Sequence, residues 1–73
     1  MGMKITVKVR FNTSHEKLES FGNNMYLAYL MMPEDEGSGQ VLCAMISKKL
    51  GVPPTRVEFA GKDVRGNYIF EYL

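Results

Sequence analysis

The chain has 73 residues, of which 45% are hydrophobic and 23% charged, with a formal net charge of +1. One domain of this size buries only about 60% of the surface its unfolded chain exposes, so the core is thin and little stability is spare for a strained catalytic site. Balanced charge excludes the global field of a strongly basic nucleic-acid binder and leaves only a local patch for that work.

No run approaches the ~18 apolar residues of a membrane span, and no charged-then-apolar leader opens the sequence. Cys43 is the sole cysteine, which excludes an internal disulfide and a thiolate zinc site. The expectation is a cytoplasmic protein without membrane contact. Met1-Gly2 with Thr6 fits the N-myristoylation pattern, but the same residues open a strand, and Met3 reads equally well as a native start.

Met3, Ile5, Val7, Val9 and Phe11 alternate with Lys4, Thr6, Lys8 and Arg10, which predicts a strand with one buried and one wet face. Residues 12–24 are polar and predict a mobile loop that turns at Gly22-Asn23-Asn24. Within it, Ser14 would cap one helical turn reaching Lys17, with Leu18 and Phe21 packing inward. Residues 25–32 predict a second strand, apolar on both faces and therefore central.

Pro33 ends that strand, and Glu34-Asp35-Glu36-Gly37-Ser38-Gly39 leads into a helix whose start falls near Ser38 or Gly39. Val41, Leu42, Met45, Ile46 and Leu50 recur at helical spacing, Lys48 and Lys49 place positive charge on the carbonyl end, and Gly51 supplies a left-handed stop. Pro53 and Pro54 forbid continuation. From Thr55 the period becomes two, with Val57 and Phe59 against Arg56 and Glu58. A turn over residues 63–66 then sets up a last strand at 67–72. The order is β-β-α-β-β. It predicts one α+β domain over residues 1–73, a two-layer sandwich with one helix on a four-stranded, mostly antiparallel sheet.

The run Lys4-Ile5-Thr6-Val7-Lys8-Val9-Arg10, the stretch Leu50-Gly51-Val52-Pro53 leading into Arg56-Val57-Glu58, and Gly61 followed by Arg65 resemble the YggU-like family of small proteins. The resemblance implies an antiparallel-sheet α+β fold and no established biochemical activity. Of the family's Pro-Pro and Gly-Lys-Ala-Asn motif, Pro33 and a glycine at 37 or 39 remain, with Ser38 and Gln40 nearby; of its serine-arginine-x-lysine element, Arg65 alone carries over. Gly51-Val52-Pro53-Pro54 followed by Phe59-Ala60-Gly61-Lys62 is similar to a run of the ubiquitin family. In that fold the last strand enters the sheet beside the first, for which residues 63–73 are expected to be too few, and no terminal Gly-Gly is present for conjugation.

Glu34-Asp35-Glu36 is a cluster suited to a hard cation, but it lacks the alternating ligand spacing of a calcium loop and reads better as solvated charge. His15 follows Ser14 in the polar segment. Neighbouring side chains there are expected to diverge, so the two do not read as a nucleophile and its base. Cys43 reads as a small buried hydrophobe on the helix. No catalytic residue, cofactor or metal is expected.

The positive feature is surface chemistry. Lys4, Lys8 and Arg10 project from one strand face, and one helix leaves the other side of a sheet open. Tyr68, Phe70 and Tyr72 alternate on the last strand, where they form either a stacking platform rimmed by those cations or, as the larger apolar set, core. Arg56, Lys62 and Arg65 supply a second basic group, and Met25, Tyr26 and Tyr29 a surface for protein contact or self-association. The sequence therefore reads as a non-catalytic binding module, a monomer or weak homodimer. Its partner is either RNA or a protein, and Lys4, Lys8, Arg10, Lys62, Arg65 and Tyr68 are the candidate contacts.

Overall fold

The computed structural model describes residues 2–73; the Met1 half of the acylation pattern lies outside the described residues. In chain order the elements are β1 (Met3–Arg10), β2 (Lys17–Ser20), β3 (Met25–Tyr29), α1 (Ser38–Leu50), a 3-10 turn (Pro54–Arg56), β4 (Val57–Lys62) and β5 (Tyr68–Tyr72). The strands form one five-stranded sheet in the order β2-β3-β1-β5-β4, with α1 on one face. The α+β class with a single helix stands as expected. The strand count is corrected from four to five, and the sheet is mixed because β1 and β3 run parallel.

The extra strand lies where a mobile loop with a helical turn was expected. Lys17-Leu18-Glu19-Ser20 has a single apolar side chain, and it becomes a strand because the following turn folds it antiparallel onto β3. Gly22, Asn23 and Asn24 all adopt the left-handed region, at φ 77, 50 and 59, which glycine and asparagine tolerate. The Phe21 N–H donates to the Met25 carbonyl at 2.8 Å and the Met25 N–H to the Gly22 carbonyl at 3.0 Å. With β2 on the outside, the chain returns beside β1 in the parallel sense.

Strict alternation in β1 sends Ile5 and Val7 beneath the helix, 1% and 0% exposed, and leaves Lys4 and Lys8 on the far side. Tyr26 and Ala28 join that buried layer from β3, and Leu30 just beyond it is fully buried. From above, Leu42 and Ile46 close the core. The helix stops as its sequence requires: the Gly51 N–H donates to the Lys48 carbonyl at 3.3 Å and the Val52 N–H to the Ser47 carbonyl at 3.0 Å, with Gly51 at φ 71. The Cys43 thiol, half-buried, donates to the Val57 carbonyl at 3.1 Å, and burial pushes its pKa up.

The last strand does enter the sheet beside the first, contrary to the expectation that residues 63–73 were too few. A short turn suffices, and β5 lies antiparallel between β1 and β4. No helix among the described residues is long and apolar enough to cross a membrane.

Candidate functional site

The sheet face opposite α1 carries no layer of its own, and register decides what it presents. Lys8 lies opposite Leu27, Arg10 opposite Tyr29 and Thr6 opposite Met25, so the cations of β1 border an apolar strip from β3. Charge is then sorted along the strands. Lys4 faces Glu71, which in turn faces Glu58, so that end of the sheet is acidic. At the other end Lys8 and Arg10 are in no salt bridge among the described residues, and the turn before β5 adds Arg65. Glu19, on the outer strand β2, is paired with Lys17 at 3.1 Å.

The turn carrying Arg65 is held by a single carboxylate. Asp63 Oδ1 accepts the backbone N–H of Arg65 and of Asn67, each at 2.9 Å, and Oδ2 accepts the Asn67 carboxamide at 3.1 Å. These bonds, led by the Asn67 N–H, hold the Asp63 carboxyl below the usual carboxylate range. A groove of about 390 Å³ opens between this turn and the β2–β3 hairpin, lined by Thr6, Lys8, Phe21, Met25, Tyr26, Arg65 and Asn67.

Lys8, Arg10 and Arg65 are thus brought together, Lys4 shares their face at its acidic end, and Tyr68 and Lys62 do not join them. Tyr68 pairs with Val7 and Phe70 with Ile5, so both rings lie under the helix, 4% and 0% exposed, with Tyr72 half-buried beyond them. The aromatic row is core, and the platform of aromatics rimmed by Lys4, Lys8 and Arg10 does not form. Lys62 is displaced by a bulge in β4 between Phe59 and Gly61, which flips the alternation and sets Lys62 opposite Tyr68. Tyr26, expected on a contact surface with Met25 and Tyr29, is also buried, whereas Met25 is 50% exposed.

On the helix side, Tyr68 and Lys62 form a latch. The Tyr68 hydroxyl donates to Glu34 Oε2 at 2.5 Å, Lys62 Nζ reaches the same oxygen at 2.9 Å, and that ammonium stands 5.3 Å from the centre of the Tyr68 ring. Burial, followed by the bond to Glu34, pushes the Tyr68 pKa up to about 12. The Tyr68 bond, then Lys62, lowers that of Glu34. The latch ties the loop preceding α1 to β4 and β5. Its acidic run is engaged locally, since Asp35 Oδ1 also accepts the Gly37 N–H at 2.8 Å.

Ser14 and His15 do not diverge as expected: Ser14 Oγ lies 3.0 Å from His15 Nδ1. Both are exposed, and among the described residues no carboxylate orients the imidazole. Phe21 is misplaced by the sequence in the opposite sense to Tyr26. It was expected to pack inward, yet it is 62% exposed, because the alternation that turns Leu18 toward the helix turns Glu19 and Phe21 outward. Neither a family model, nor a curated protein, nor a solved structure matches the chain.

Proposed function

We propose that the protein is a non-catalytic binding module that takes single-stranded nucleic acid, RNA in the first instance, on the basic half of its open sheet face. The observation that carries this reading is the convergence of Lys8, Arg10 and Arg65, none of them in a salt bridge among the described residues, around the apolar strip of Met25, Leu27 and Tyr29. Cations of this kind meet phosphates, and a flat sheet edged by aromatic and thioether side chains meets bases. Under a YggU-like assignment, Arg65 is the motif residue that carries over, and it stands in this half of the face. The reduced thiol of Cys43 suits a cytoplasmic setting.

The test is fluorescence anisotropy of a labelled mixed-sequence RNA octamer with the wild-type protein at low and moderate salt. Saturable binding that weakens as salt rises supports the proposal. A flat titration at both salts refutes it and directs the search to a protein ligand for the same strip.

A further inference from the structure

Phe21 is an exposed aromatic side chain on a rigid support. Its N–H is bonded to the Met25 carbonyl, the three residues after it form a left-handed turn, and the Asn24 carbonyl accepts the Thr6 N–H at 3.0 Å, which fastens the hairpin to β1. The facing wall, Arg65 and Asn67, is fixed by the Asp63 carboxylate. Between them the groove presents the exposed Phe21, the buried Tyr26, two cations, a carboxamide and the Met25 thioether, with no carboxylate in its lining. Its volume, about 390 Å³, falls in the ~300–1,000 Å³ range of clefts that hold small ligands.

We infer that this groove is a nucleotide subsite, in which a base stacks on Phe21 while Lys8 and Arg65 hold the phosphates on either side of it. The inference rests on the nucleic-acid reading above and deepens it. An aromatic ring on a preformed turn stacks at small cost in ordering, and two cations in a lining free of carboxylates complement a backbone that carries one negative charge per nucleotide. Stacking tolerates any base, so the subsite selects single strands rather than a sequence.

The experiment compares wild type, Phe21→Ala, Phe21→Trp and the Lys8→Ala/Arg65→Ala double variant, using RNA and DNA octamers and an abasic octamer of equal length. Phe21→Ala is expected to weaken binding of both normal octamers about tenfold with an unchanged salt slope, and Phe21→Trp to restore it with quenching of the indole. Wild type and Phe21→Ala are expected to bind the abasic octamer alike. If Phe21→Ala binds normal octamers as wild type does while the double variant weakens, the subsite is overturned and the basic face stands. If wild type binds no octamer, the face and the subsite both fall.

Discussion

Replacing Lys8 and Arg65 together with alanine should flatten the response of binding to salt, because each removes one phosphate contact. Each phosphate neutralised on a single strand contributes about −0.7 to the slope of log affinity against log salt, so contacts from Lys8, Arg10 and Arg65 predict a slope near −2. Raising salt from about 50 to about 200 mM would then weaken the wild type roughly twentyfold. The double variant keeps Arg10 alone, so its slope falls to about −0.7 and the same change in salt weakens it only about threefold. Both side chains are exposed, so the fold should be disturbed by no more than about 0.5 kcal/mol. Anisotropy titrations at several salt concentrations measure the slopes, with Lys4→Ala as the comparison because Lys4 stands opposite Glu71. Equal slopes for wild type and the double variant, or a Lys4→Ala slope that drops as far as that of Lys8→Ala, would refute the assignment of phosphates to this half of the face.

The remaining predictions concern the scaffold. Phe70→Ala removes a ring that is 0% exposed and packs 5.4 Å from Phe59; it should cost about 3–5 kcal/mol, a large share of the roughly 4–11 kcal/mol a domain of this size has, as urea unfolding would show. Gly51→Ala meets no neighbouring atom but must hold φ 71, so it should cost about 1 kcal/mol in the same assay through the backbone alone. Because the folded pKa of Tyr68 is raised to about 12, its contribution is complete below its ordinary value of 10.0 and is lost as pH rises through 12. Tyr68→Phe should therefore remove a step near pH 12 from the phenolate absorbance titration. Glu34 runs the other way: its pKa is lowered from 4.5, so the latch is intact above that value and released as pH falls through the lowered one, an acid step that Glu34→Gln should abolish in pH-dependent thermal melts.

How far the sequence could be read follows from where a single pattern was sufficient. Strand β1 and helix α1 were legible because Ile5, Val7 and Val9 alternate strictly and because Leu42, Ile46 and Gly51 define one face and one stop. Strand β2 was not, since Lys17-Leu18-Glu19-Ser20 carries too little hydrophobic signal and depends on a turn whose geometry belongs to residues 22–24. The facing of β5 was ambiguous because Tyr68, Phe70 and Tyr72 compete with Ile69 and Leu73, and only pairing with Ile5 and Val7 settles it. Lys62 was grouped with Arg56 and Arg65 around the last turn, and the bulge between Phe59 and Gly61 sets it opposite Tyr68 instead. The basic patch was thus half visible: Lys8, Arg10 and Arg65 could be named from the sequence, whereas Phe21 beside Lys8 and Arg65 required the hairpin to be known.

The most direct test of the open face as the binding surface is an amide chemical-shift titration of labelled protein with a mixed single-stranded RNA. Salt-sensitive shifts at Lys8, Arg10, Leu27, Tyr29, Arg65 and Asn67, with the amides of α1 silent, are the result predicted. Shifts concentrated on α1, or on Glu58 and Glu71 at the acidic end, would contradict it.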